Sequence, residues 1–177
     1  MKKISFVAKI AVATALLSTA SAYSADGKIN FTGTITDVSC TVTNNVTNPL
    51  TVNLGKVAST AFSGAGSTAA ATKFTIALTD CPATATSAAV KFEGTSNATN
   101  NTILALTQDG NGDDATGVGI QLSDTNNNVI PLYTASAAFP LVEGDNNLNF
   151  MARYFATSTT VQPGTANSTS DFTLIYN

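Results

Sequence analysis

The chain predicts an all-β fold, a sandwich or barrel of short strands. Three observations carry that expectation: apolar residues alternate with polar ones at period two, Gly/Asn/Asp/Ser-rich turns separate the runs, and helical periodicity is absent beyond residue 22. A strand places successive side chains on opposite faces, so such alternation means one buried face and one wet face.

The first residues carry the pattern of an export signal and take no part in the fold pattern. Lys2, Lys3 and Lys9 form a basic start, Ile10–Leu17 an apolar run, and Ala20-Ser21-Ala22 a small-x-small cleavage site. The run is shorter than the ~20 residues a membrane helix needs. Residues 1–22 therefore read as a signal peptide, with the mature chain starting at Tyr23 and destined for export.

The next segment, Gly27–Cys40, holds the clearest alternation. Ile29, Phe31, Gly33 and Ile35 share one face, and Lys28, Asn30, Thr32, Thr34 and Thr36 the other. A glycine inside an apolar row weakens a strand unless another backbone must come close. Further strands are predicted at Leu50–Leu54, Phe74–Thr79, Ala89–Glu93, Val118–Leu122, Leu148–Tyr154 and Phe172–Tyr176, six or seven in all. Ala58–Thr72, rich in small residues, reads either as a loop or as one helical turn. The last run alternates Phe172, Leu174 and Tyr176 with Thr173, Ile175 and Asn177, and no polar tail follows it. An apolar final strand with nothing after it to cover it is an aggregation liability.

Beyond the signal segment the basic residues are Lys28, Lys56, Lys73, Lys91 and Arg153, against 11 acidic residues. Such a surface repels polyanions, which argues against nucleic acid as a partner. Thr, Asn, Ala, Ser and Gly dominate, giving a polar, weakly charged surface suited to packing against copies of itself. Two cysteines, Cys40 and Cys81, in an exported chain read as one disulfide. Closing a loop of about 42 residues stabilises by roughly 4 kcal/mol in the chain-entropy model. Metal ligation and redox pairing are the rivals, and both lack support, since the chain has no histidine and no CxxC.

The two ends complement each other. One offers a detachable amphipathic strand, and the other leaves a domain short of one. If the strand of one copy completes the sheet of the next, the interface is heterologous and propagates as a fibre. Burying Ile29, Phe31 and Ile35 is worth on the order of 5–9 kcal/mol before entropic costs, an upper bound.

At these residues the chain resembles a known family, the structural pilins of chaperone–usher fimbriae, and within it the type 1 major subunits. The markers are Gly33 seven residues before Cys40, Asp80-Cys81-Pro82, Gly117-Val-Gly-Ile-Gln121, Ala152-Arg-Tyr-Phe-Ala-Thr157, Gly164 fourteenth from the end, and penultimate Tyr176. The resemblance implies an incomplete immunoglobulin-like pilin sandwich lacking its last strand, completed in trans by donor-strand exchange. It implies an N-terminal donor extension over residues 23–36, with Ile29, Phe31, Gly33 and Ile35 donating and Gly33 fitting where a side chain would not. Residues 37–177 would form the receiving domain, with a C-terminal motif of Gly164, Phe172, Leu174, Tyr176 and Asn177. The implied partners are identical or related pilins, a periplasmic chaperone whose basic residues hold the Asn177 carboxylate, and an outer-membrane usher. The implied destination is a surface fimbrium supporting cell adhesion, reached through the periplasm, and no cofactor is expected.

Other candidate residues have plainer readings. Asp109, Asn111, Asp113 and Asp114 resemble the start of a calcium loop, but Asp114 stands where glycine is required and Ile120 where glutamate is. A solvated turn is the better reading. The glycosylation-type triplets at Asn45, Asn97, Asn100 and Asn167 read as turns. Arg153 reads as capping the sheet surface, and Tyr133, Tyr154 and Phe155 as core. No histidine exists and no serine has a base partner, which leaves a nucleophile-plus-base enzyme without material. The runner-up function is a minor adaptor or tip subunit binding host glycans. A third is a periplasmic β-sandwich enzyme or transport protein.

Overall fold

Phe74, Ile76 and Leu78 lie in the middle of a 14-residue strand that organises the first sheet. The structure is a computed structural model describing residues 26–176; the expected signal segment and Asn177 lie outside that range. The chain divides into two units, Met1–Ile35 and Thr36–Asn177.

Within the larger unit, seven strands occur among the described residues: β1 (Thr41–Val42), β2 (Thr68–Cys81), β3 (Ser87–Glu93), β4 (Val118–Asp124), β5 (Phe139–Pro140), β6 (Gly144–Ala156) and β7 (Asp171–Tyr176). They form a four-stranded sheet in the order β1-β2-β6-β4 and a three-stranded sheet in the order β5-β3-β7. Every ladder between them is antiparallel. The all-β expectation holds, and the only helical element described is a single 3-10 turn, Ser59–Ala61. The stretch Ala58–Thr72 holds that turn, a loop over 62–67 and the first five residues of β2.

The core lies between the sheets. Ile76 and Leu78 from β2, Leu148 and Phe150 from β6, and Val90 and Phe92 from β3 are buried. Phe150 is the junction. Its ring meets Phe92 edge-on at 5.1 Å and 89°, and Phe139 at 5.2 Å. Because Phe92 and Phe139 belong to the opposite sheet, this cluster joins the two layers, and such edge-to-face pairs add about 0.5–1.5 kcal/mol each beyond burial. Cys40 and Cys81 are bonded, tying the segment before β1 to the end of β2.

One strand expectation of the receiving domain needs correction, and the expected donor stripe has no partner among the described residues of this chain. Residues 27–40 form no strand in this chain, and their apolar stripe is not buried. Alternation specifies a face; it does not supply a partner. Leu50–Leu54 is not a strand either, although Val52 and Leu54 pack partly against the core. The Oδ1 of Asn53 accepts the Gly55 N–H at 2.8 Å, and Gly55 has a φ of 70°, so an Asx turn redirects the chain before a ladder can form. The two-residue strands β1 and β5 carry too short a pattern to be read. β2 and β6 run longer than their alternation suggests because β-bulges absorb the irregular positions. Register shifts fall between Ala69 and Thr72 and between Leu78 and Cys81, with Ala70 and Asp80 at φ 56° and 53°.

Candidate assembly site at the open edge of the second sheet

β7 pairs with β3 along its whole length, from Ala88↔Tyr176 to Glu93↔Asp171. It ends the β5-β3-β7 sheet and has no strand on its other side among the described residues. Phe172, Leu174 and Tyr176 stand opposite Phe92, Val90 and Ala88 and share their core-facing side. The β3 residues are fully buried, whereas the β7 residues stay half-buried although packed on the core. In a finished sandwich that row would be covered on both flanks. The edge exposes unsatisfied backbone donors and acceptors together with a half-covered apolar row, the two things an added strand would satisfy.

Elsewhere in the domain a solvent-open pocket of about 490 Å³ is bordered by β4, β6 and the loops 55–62 and 161–167. Lys56 and Phe62 line one wall, Val161 and Gly164 another, and Val118 and Tyr154 the floor. Tyr154 donates its hydroxyl to the Ala166 carbonyl at 3.1 Å, and burial holds its phenol above the usual pKa. Gly164 is shaped by proximity. A Cβ there would overlap the backbone of Asp113, Asp114 and Ala115, because residues 113–115 and 164–165 cross closely. Thr165 N–H donates to the Asp113 carbonyl at 2.7 Å, and Ala115 N–H to the Thr165 carbonyl at 2.9 Å. Gly117 combines a φ of 76° with the same crowding, a Cβ falling 2.5 Å from the Thr160 carbonyl.

The structure separates the residues grouped by sequence. Phe172, Leu174 and Tyr176 line the open edge, while Gly164 sits at the loop crossing instead of on β7. In the smaller unit Ile29 and Phe31 are 78% and 90% exposed, and Ile35 is fully exposed. Nothing lies within 4 Å of where a Gly33 Cβ would be, so no neighbour in this chain calls for a glycine there. Arg153 faces outward as expected: Nε donates to Gln121 Oε1 at 2.9 Å and Nη1 to Asn127 Oδ1 at 3.2 Å. Tyr133 departs from its core reading. It is 57% exposed, holds a φ of 62°, and donates its hydroxyl to the Gly94 carbonyl. Lys56, Phe62 and Val161, which shape the cavity, carried no sequence signal, because their convergence is tertiary.

The fold and its open apolar edge define a β-sandwich whose last strand is paired on one side among the described residues. The comparisons with known proteins place it in a family. The fimbrial protein family model matches residues 29–177. The chain is 39% identical over 155 residues to the type 1 fimbrial subunit of Salmonella typhimurium, spanning 85% of this chain and 82% of that protein. It is 42% identical to the solved antigen and type I fimbria protein of Burkholderia pseudomallei, with a TM-score of 0.61 over 85% of this chain and 97% of that one. The P pilus rod subunit PapA shares the fold, with a TM-score of 0.65 at 17% identity over 78% of this chain and 99% of that one.

This chain belongs to the fimbrial protein family. It is a structural subunit of a fimbrium, and the family is a structural one, not an enzyme family.

Proposed function

We propose that this subunit polymerises by donor-strand complementation. The stripe Ile29, Phe31, Gly33 and Ile35 of one copy would lie along β7 of the next, pairing with its free edge and covering Phe172, Leu174 and Tyr176. Residues 23–36 then serve as the donor extension and 37–177 as the receiving domain, with residues 1–22 removed on export. A periplasmic chaperone occupies the same edge before assembly and holds the Asn177 carboxylate, and an outer-membrane usher exchanges it for the incoming stripe. The activity is assembly, with no catalysis, and the Cys40–Cys81 bond secures the receiving domain.

The single observation that carries this reading is the mismatch at β7, whose core-facing row is half-covered while an amphipathic stripe elsewhere in the same chain is exposed. Deleting residues 25–36 tests it. The shortened subunit should fold and be held by the chaperone, yet fail to enter fibres as a donor. Normal fibres from that protein would overturn the reading.

A further inference from the structure

Most loop asparagines of this chain have their side chains held. The Oδ1 atoms of Asn44, Asn45, Asn53, Asn97, Asn100 and Asn127 each accept a hydrogen bond, five from backbone N–H groups and that of Asn127 from Arg153. Asn111 differs from these in two ways, while sharing the exposure of Asn45, Asn53 and Asn127. It precedes Gly112 and is the only asparagine in the sequence followed by glycine. Among the described residues its side chain has no hydrogen-bond partner. The N–H of Gly112 likewise donates no bond among the described residues, and a Cβ at Gly112 would meet nothing within 4 Å. The loop is set by Gly110 and Gly112, at φ 79° and 81°, and by the Asn111 N–H donating to Asp109 Oδ1 at 2.9 Å. That bond anchors the backbone of Asn111 and leaves its amide free to turn towards the next peptide nitrogen.

We propose that Asn111 is a site of spontaneous deamidation, a slow chemical mark on the exposed loop between β3 and β4. The nitrogen of Gly112, having lost its proton to solvent, attacks the Asn111 side-chain carbonyl carbon. A C–N bond forms, the amide C–N bond breaks, and the nitrogen leaves as ammonia after taking a proton from water. The resulting five-membered imide then adds water at either carbonyl, giving aspartate or isoaspartate at position 111. Overall one amide and one water become one carboxylate and one ammonium ion, with no oxidant and no enzyme. Glycine is the residue that permits this, because it places no Cβ in the path of ring closure. Asp109, Asp113 and Asp114 oppose loss of the amide proton. Solvent and salt screen the exposed Asp109 and Asp113, while Asp114 is half-buried and its Oδ2 is taken by the Asp109 N–H. The product adds a negative charge to a loop that already holds those three carboxylates.

The test is peptide mapping by mass spectrometry on the purified exported protein, aged in mildly alkaline buffer. The peptide containing position 111 should convert first, to both isomers, while those containing Asn45 and Asn97 keep their amides. Gly112→Ala should slow conversion clearly, because the added Cβ stands in the path of ring closure. Asn111→Gln, which leaves the backbone unchanged, should abolish the more acidic band on isoelectric focusing. Conversion of a held asparagine before position 111, an unchanged rate in Gly112→Ala, or an intact amide at 111 after prolonged ageing would each overturn the proposal.

Discussion

The backbone N–H of Cys40 donates to the hydroxyl of Tyr176 at 3.0 Å, linking positions 136 residues apart. One partner belongs to the disulfide and the other to the end of β7, so a single hydrogen bond ties the bonded corner of the domain to the last described residue of its open edge. Tyr176→Phe keeps the ring and removes only that bond. We expect a loss of about 1 kcal/mol, seen as a lower urea midpoint with an unchanged m-value. Tyr176→Ala also removes the packing and should lower the periplasmic yield sharply. An unaltered midpoint for the phenylalanine variant would show that the bond contributes nothing.

Gly164→Ala places a methyl group into the backbone of residues 113–115. Relief requires the two strands of that crossing to separate, which breaks the bond from Thr165 to Asp113. Destabilisation of about 3 kcal/mol is expected, at the upper end of single-residue effects. Chemical denaturation of the variant beside a control, Gly64→Ala, separates crowding from backbone conformation, because Gly64 has a positive φ but open space around it. Gly164 itself has no positive φ, so a Gly164→Ala variant as stable as the parent would show that the crossing tolerates a methyl group.

Gln121 is only 6% exposed, and its Oε1 accepts from Arg153 Nε. Arg153→Met leaves that buried oxygen without this donor while keeping much of the aliphatic packing. A cost of about 1–3 kcal/mol follows from the unsatisfied acceptor. Replacing both residues, Gln121→Met with Arg153→Met, should recover part of the loss, and a double-mutant cycle measures the coupling. Additive effects would refute the pairing.

Asp124 closes a turn after β4. Its carboxylate accepts from the Asn128 side chain and from the backbone N–H groups of Asn126 and Asn128, and these bonds hold its pKa below the usual aspartate value. A carboxyl whose folded pKa is depressed adds stability that is present above its unfolded pKa and lost as pH falls through the folded one. Stability should therefore decline on acidification below the ordinary aspartate range of about 3.9. Asp124→Asn should flatten that part of the pH profile, measured as denaturation midpoint against pH. A profile unchanged by the substitution would show that the turn makes no pH-dependent contribution.

Much of the fold was legible because alternation reports a half-buried strand directly. The apolar positions of β2, β3, β4, β6 and β7 were visible as Phe74/Ile76/Leu78, Ala89–Glu93, Val118–Leu122, Leu148–Tyr154 and Phe172/Leu174/Tyr176. The Cys40–Cys81 pairing followed from an even count in a chain with an export signal. Leu50–Leu54 misled because a local Asx turn at Asn53 outcompetes pairing, and β1 and β5 escaped because two residues carry no period. Of the candidate site, the apolar row of β7 was readable, whereas the crossing at Gly164 and the pocket it borders were not.

The sequence by itself determined which residues are apolar on one face, where the turns fall, and that a stripe at Ile29–Ile35 and a final strand both want cover. Only the tertiary structure decided that β7 pairs on one side alone among the described residues, that Tyr176 reaches back to Cys40, and that Gly164 must be bare because another backbone passes against it. Period and composition are local properties of a chain. Sheet order, edges and close crossings depend on which distant segments meet, and no single segment encodes that.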